Sequence, residues 1–186
     1  MHIRTATSAD ISGVIGLQSK YLLVNTVENE RQNGFVTTPF TEQQVINIIN
    51  EHGLFVAEDH DKIVGYAFAG SWAYFSQWPI FPYMVSRLPD LNINGEPITE
   101  SNSFQYGPIC IELRYRGSGL FQQLFEVMRI SMGVKYPIGV TFINQINKRS
   151  FEAHTRKLQM TVIDSFGFNQ HQFWGLAFKT DVSVLR

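Results

Sequence analysis

RYRGSGLFQQLFEVMRISM, residues 114–132, sets two glycines in a turn and an apolar stripe directly after it. Leu120, Leu124, Phe125 and Met128 recur at helical spacing, so an amphipathic helix is predicted to open just past Gly119. The first turn of a helix carries backbone N–H groups without a partner inside the helix, and the helix dipole adds positive potential there. Such a turn suits an anion, above all phosphate. Arg116, with Arg114 close by, adds cationic groups. The plainer reading is that Gly117 and Gly119 only permit a tight strand-to-helix turn, and the short motif does not separate the two. Other phosphate loops are excluded. No Gly-Lys-Ser/Thr occurs for a P-loop, and a dinucleotide fingerprint would need a glycine where Gln122 stands.

Working outward, SFQYGPICIEL (103–113) reads as a buried strand leading into that turn. Gly107-Pro108 interrupts it, and a proline removes one ladder donor, so a bulge or a gap in the sheet is expected there. After the helix come an apolar strand, IGVTFI (138–143), and a helix over 147–158 with Asn147 as its N-cap. A hairpin closes the chain around Gly167–Gln170. Upstream, HIRTAT predicts a strand and Ser8-Ala9-Asp10 the cap of a helix carrying Ile11, Val14 and Ile15. Residues 24–39 read as loop. Thr41 with Gln44 forms a capping-box pattern before Val45, Ile46, Ile48 and Ile49. LFVAE and KIVGYAFAG (54–58 and 62–70) make a second hairpin. Strands and helices mix without regular alternation, which argues for an α+β (mixed α/β) domain rather than a doubly wound parallel sheet. With no repeat or linker, residues 1–186 are read as one domain.

Composition limits the function. The 15 Lys+Arg and 16 Asp+Glu leave a net charge of -1, so no basic field for nucleic acid or an anionic membrane is expected. A single cysteine cannot form an internal disulfide, which suits a reducing cytoplasmic setting. The first residues, MHIRTATSAD, lack the apolar core of a signal peptide, and no run approaches the roughly 18 apolar residues of a membrane span. Aromatics are in excess at 13%. Trp72, Tyr74, Phe75, Trp78, Phe81 and Tyr83 crowd into one stretch of residues 71–102, an insertion too long for a plain connection. One or two short helices and a polar return are predicted there.

Taken together, these segments resemble the GCN5-related N-acetyltransferase (GNAT) superfamily along nearly the whole chain. YRGSGLFQQLFE is similar to that family's acyl-CoA pyrophosphate loop, Gln/Arg-x-x-Gly-x-Gly/Ala. LFVAEDHDKIVGYAFAG resembles its second and third strands, and INKRSFEAHTRKLQM its later Asn-x-x-Ser/Ala helix. The resemblance implies a central, mostly antiparallel mixed sheet, splayed between the fourth and fifth strands and flanked by helices, with residues 71–102 inserted between strands 3 and 4. It implies acetyl-CoA as cosubstrate and direct transfer to the amine of a small molecule, a peptide acceptor remaining open. Cofactor contacts would come from Arg116, Gly117, Ser118, Gly119, Leu120 and Phe121 at the loop. Ile109, Cys110 and Ile111 would pair with the pantetheine arm, with an amide near residue 110 polarising the thioester carbonyl. Asn147 and Ser150 would touch the same arm, the plainer reading being a helix cap and a small first-turn residue. His154 falls where many relatives carry the tyrosine that protonates the departing thiolate, so it is the candidate general acid, against packing or a cofactor contact. Phe121 and Gln159 depart from the pattern, each standing where glycine, or glycine or alanine, is usual.

Other candidates are weaker. Cys110 sits in an apolar strand with no evident base, and Ser118 is not in a nucleophile elbow. His2, His52, His60 and His171 show no metal-ligand spacing, so no metal is expected. Glu112 at a strand end falls in the exposed approach to the loop. The insertion is an acceptor-pocket wall, a lid or a homodimer contact. Two rival functions stay open: a silent acyl-CoA-binding sensor, and an acyltransferase using an oxygen acceptor or a longer acyl chain.

Overall fold

The computed structural model describes residues 1–28 and 34–185; residues 29–33, part of the expected 24–39 loop, lie outside the described residues. Its frame is a seven-stranded sheet in the order β1-β2-β3-β6-β7-β9-β8. The strands are β1 (His2–Thr5), β2 (Leu54–Asp59), β3 (Lys62–Gly70), β6 (Ser103–Ile111), β7 (Ile138–Asn144), β8 (Thr161–Phe168) and β9 (His171–Lys179). A separate two-stranded hairpin, β4 (Asn92–Ile93) with β5 (Glu96–Pro97), lies in the insertion. The splayed pair anticipated as strands 4 and 5 is therefore β6 and β7. All neighbours run antiparallel except β6 and β7.

Helices cover both faces. On one lie α1 (Ile11–Tyr21), α2 (Glu42–Asn50), α3 (Trp72–Phe75) and α4 (Ile80–Arg87), packing Val14, Leu17, Val45, Ile48, Phe75 and Phe81 with Val56 and Phe68 of the sheet. On the other lie α5 (Leu120–Gly133) and the short α6 (Lys148–Glu152), with Leu124, Phe125 and Met128 against Phe55, Ala67, Phe104 and Tyr106. The capping box at α2 forms: the Gln44 amide donates to Thr41 Oγ1 at 3.3 Å, and the Thr41 amide to Gln44 Oε1 at 2.8 Å. Before α1 the predicted cluster caps the helix, with Asp10 at the N-cap position. A 3₁₀ turn spans Ser8–Asp10, and Asp10 accepts from the Thr7 amide at 2.7 Å. All three hairpin turns pass through two consecutive residues at positive φ, His60-Asp61, Asn94-Gly95 and Asn169-Gln170.

The insertion is a packed element. It contains α3, α4, a 3₁₀ turn and the β4–β5 hairpin, and its rings Trp72, Tyr74, Phe75 and Phe81 are buried. Trp72 Nε1 donates to Ser103 Oγ at 3.0 Å and Tyr74 Oη to the Gln44 carbonyl at 2.8 Å, so both polar handles are anchored. A chain of ring contacts crosses this face from β3 to β8: Phe68–Phe40 (4.2 Å between centroids), Phe40–Phe75 (6.5 Å), Phe75–Phe81 (4.8 Å), Phe81–Phe142 (5.5 Å), Phe142–Phe173 (5.4 Å) and Phe173–Phe166 (5.5 Å). Among the described residues no helix is long and apolar enough to cross a membrane.

Candidate functional site

The site begins where the sheet comes apart. β6 and β7 pair only at Ser103–Ile138, Phe104–Gly139 and Gln105–Val140. Beyond Gln105 the bulge predicted at Gly107-Pro108 appears: the Gly107–Pro108 bond is cis, Gly107 has φ 107, and the β3 register slips between Ala67 and Ala69. From there β6 follows β3 and β7 follows β9, leaving a wedge-shaped gap.

The ladder determines which groups of β6 face that gap. The Glu112 amide donates to the Val64 carbonyl of β3 at 2.8 Å. Backbone groups alternate sides along an antiparallel strand, so Cys110 also points to β3, while Ile109 and Ile111 present theirs to the gap. The Ile111 carbonyl confirms the parity, since it accepts from Arg116 Nε at 2.8 Å. This narrows the expectation of an amide near residue 110: the Cys110 N–H belongs to the sheet, and the N–H groups turned to the gap are those of Ile109 and Ile111. Cys110 is itself buried, with its thiol pushed up to about 12 by desolvation, and is inert as a nucleophile.

At the wide end of the gap lies the glycine turn. Gly117 and Gly119 have φ 86 and 89, the left-handed region that favours glycine. The first intrahelical bond of α5 runs from the Gln123 amide to the Gly119 carbonyl at 3.1 Å, so the amides of Leu120, Phe121 and Gln122 precede it. A side chain on Gly117 would meet nothing within 4 Å, so its backbone is open to a ligand. Ser118 Oγ donates to the Tyr115 carbonyl at 2.6 Å and braces the turn. Leu120 buries its side chain in the core. Phe121 packs edge-on against His154, with ring centroids 5.2 Å apart, and forms the groove wall.

Across the groove stands the segment 147–158. The predicted helix is broken into α6 and a π turn over Ala153–Lys157, an irregularity often found at functional sites. Asn147 caps it, accepting from the Ser150 amide at 3.2 Å and donating to the Phe35 carbonyl at 3.4 Å. Asn147 thereby ties the 34–38 segment to α6 along the cleft. His154 is 4% exposed. Its Nδ1 lies 2.7 Å from the Ser150 carbonyl, an oxygen that can only accept, so Nδ1 carries the proton. Burial pushes the imidazolium pKa down to about 4. Near neutral pH the ring holds no second proton. The general-acid role implied for His154 therefore finds no support in this geometry.

These elements line one continuous cleft. Its outer part runs past Tyr21, Ile111, Arg116, Phe121, Arg149 and Lys157. Its inner part reaches between β6 and β7 to Gln105, Thr141, Phe142 and Phe81. Arg116 lies over the Tyr21 ring, 4.7 Å from its centroid. Tyr21 Oη in turn donates to Glu112 at 2.7 Å and accepts from the Leu113 amide at 2.8 Å. Glu112 is also paired with Lys20 at 2.8 Å; desolvation is the largest single effect and raises its pKa, but these partners together outweigh it and leave it lowered. It is a strut of the groove mouth. Ile109, Cys110, Ile111, Arg116, Gly117, Phe121, Asn147, Ser150 and His154 are all brought to this cleft. Gln105, Thr141, Arg149 and Lys157 were not anticipated, whereas Phe81 belongs to the insertion offered as a pocket wall. Gln105, a lone polar residue inside an apolar strand, was the one with a visible signal. Of the aromatic insertion, only Phe81 lines the inner cleft, among the described residues. No group of three or more His, Cys, Asp or Glu gathers into a metal site among them.

No protein-family profile matches the sequence, and no curated protein matches it. Solved structures do match the fold over nearly all of the chain. The ribosomal-protein-alanine N-acetyltransferase of Brucella melitensis is 17% identical with a TM-score of 0.61, covering 96% of this chain and 99% of that one. The yncA protein of Salmonella typhimurium, solved with its cofactor acetyl-CoA, is 15% identical with a TM-score of 0.63, covering 98% and 95%. A GNAT-family acetyltransferase of Streptococcus pneumoniae is 11% identical with a TM-score of 0.62, covering 96% and 98%. The fold is that of the GCN5-related N-acetyltransferases.

Proposed function

We propose that this protein transfers an acetyl group from acetyl-CoA directly to the amine of a small molecule. The observation that carries the reading is the pairing of the glycine turn with the parted strands: an anion-binding helix end lies at one end of a gap edged by free backbone groups. The donor set fits the cosubstrate. The amides of Gly117 and of 119–122, with Arg116, Arg149 and Lys157 around the mouth, suit a pyrophosphate, the Ser118 amide being taken by the Tyr115 carbonyl. The gap-facing N–H and C=O groups of Ile109 suit the amides of a pantetheine arm. Acetyl-CoA, when bound, supplies a thioester activated toward amines. The Ile109 N–H is the free donor nearest to where the strands part, and it would polarise the carbonyl oxygen. Asn147 and the 34–38 segment wall the arm from water, and positioning the two reactants supplies much of the rate. No covalent enzyme intermediate is invoked, since Cys110 is buried and protonated. The free, buried Cys110 also accords with a reducing cytoplasmic setting.

The test is thermal melting with CoA and acetyl-CoA, followed by thiol release across an amine panel. A raised melting temperature and amine-dependent thiol release are expected. If neither nucleotide shifts the melt, the reading is wrong; binding without turnover on any amine would instead indicate a silent sensor.

A further inference from the structure

Gln105 holds the one pairing position of β6 that borders the gap, opposite Val140 at the last rung before the strands part. Its side chain is 1% exposed, and Nε2 donates to the Tyr106 carbonyl at 2.7 Å. That carbonyl fixes the amide's orientation, because a flipped amide would set two oxygens against each other. Oε1 is left buried with no hydrogen-bond donor. A buried acceptor left unpaired is costly and uncommon in folded proteins, and it calls for an explanation. Gln105 itself lines the inner cleft with Thr141, Phe81 and Phe142, so Oε1 lies just beneath the cleft wall. The bare face of Gly107 keeps the space open. A Cβ there would come within 3.3 Å of Thr141 Oγ1 and 4.0 Å of Gln105 Nε2.

The charge distribution narrows what can sit there. Among the described residues lining the inner cleft, none is Asp, Glu, Lys or Arg. Those charged in the outer part, Arg116, Arg149 and Lys157, are all cationic. An ammonium ion would lose its hydration without gaining a counter-ion. Neither Gln105 nor His154, whose Nδ1 proton is committed to Ser150, can take a proton from such an ion at neutral pH with useful strength. An amine that is already uncharged meets none of these obstacles. Its N–H satisfies Oε1, and a flat ring suits the Phe81 and Phe142 walls.

Resting on the acetyl-transfer reading above, we propose that the inner cleft selects a weakly basic aromatic amine, uncharged at neutral pH, whose N–H donates to Gln105 Oε1. The nitrogen lone pair forms the new C–N bond, and the C–S bond breaks with its electron pair kept by sulfur. One N–H proton passes to water as the amide forms, and sulfur takes one from water. The other N–H stays on Gln105.

Calorimetric titration of aniline and benzylamine into the CoA-loaded protein tests this by binding, independently of turnover. Aniline is expected to bind at least about tenfold tighter than benzylamine near neutral pH. Gln105→Met should weaken aniline about tenfold while leaving the CoA-induced melting shift intact. Gln105→Glu supplies a counter-ion and should reverse the preference toward benzylamine; it decides the matter if the methionine variant does not melt cooperatively. Benzylamine binding as tightly as aniline, neither amine binding, or Gln105→Met leaving aniline unaffected would overturn the assignment while CoA still raises the melt. Absence of any CoA shift overturns the acetyl-transfer reading itself.

Discussion

His154 donates its Nδ1 proton to the Ser150 carbonyl oxygen at 2.7 Å, inside the π turn that walls the cleft. The bond spans α6 and the turn, and it fixes the ring as a neutral tautomer. Its cost shows in the unfolded chain. There the imidazole titrates near its ordinary 6.5, whereas in the fold burial has pushed it down to about 4. Between those values the unfolded chain binds a proton that the native state does not. Stability is therefore complete above pH 6.5 and falls as pH drops toward about 4, by about 3 kcal/mol in all. Glu126, held down to about 2 by Arg129, loses its contribution only at lower pH, so the range above about pH 5 reports the histidine. Urea midpoints measured across that range should slope upward with pH in the wild type and flatten in His154→Phe.

The same variant addresses chemistry. A ring without a second proton near neutrality gives little acid catalysis, so His154→Phe should keep thiol release within about threefold of wild type. A loss of a hundredfold or so, with disappearance of one limb of the pH–rate profile, would restore the histidine as the acid.

Arg116 contributes charge at the mouth while its Nε is anchored on Ile111. Arg116→Ala should weaken CoA about tenfold, with a shallower salt dependence of binding. Gly117→Ala tests the backbone. Its φ of 86 predicts a stability loss of about 1 kcal/mol. CoA affinity, read by calorimetry, should fall as well if the ligand approaches that bare Cα closely. Unchanged affinity in both variants would remove the glycine turn from the site.

Gln159 stands at φ 54, where the related motif carries glycine. Its side chain is exposed and its backbone strained, so Gln159→Gly should stabilise the fold by about 0.5–1 kcal/mol despite the added freedom of the unfolded chain. Chemical denaturation gives the sign directly, and a destabilised variant would mean that the side chain does more than tolerate the turn.

Phe81 touches both Phe75 of the insertion and Phe142 of β7. Phe81→Ala should cost about 3–5 kcal/mol and lower the melting temperature by well over the effect of any cleft-mouth variant.

Much of this was readable from the chain because local chemistry determines it. The Thr41–Gln44 box, the stripe of Leu120, Leu124, Phe125 and Met128, and the break at Gly107-Pro108 each carry their own physical signature. Other features depend on register or distant packing. Whether Cys110 or Ile109 offers its amide to the gap turns on one hydrogen bond from Glu112 to Val64, which no periodicity reveals. The π turn hides within a helical pattern, because a single five-residue turn after a five-residue helix is too short for its change of period to show in the apolar spacing. Gln105 was visible as a polar interruption, yet only the neighbouring strand shows its oxygen unmatched. The insertion's rings were open to several readings. Adhesive side chains are equally suited to a core and to a pocket until the sheet beneath them is in place.

The run of rings from Phe68 to Phe166 gives the aromatic excess a mechanical meaning. A sheet that opens a slot between two of its strands forfeits the rungs that would hold its halves together. Here the halves are bridged from one face, ring against ring, by Phe40, Phe75 and Phe81 running from Phe68 of β3 to Phe142 of β7. The aromatic plate works like a strap riveted across a split board. It lets the slot stay open without letting the board come in two, so the chain's unusual composition is the expense of keeping its cleft permanently ajar.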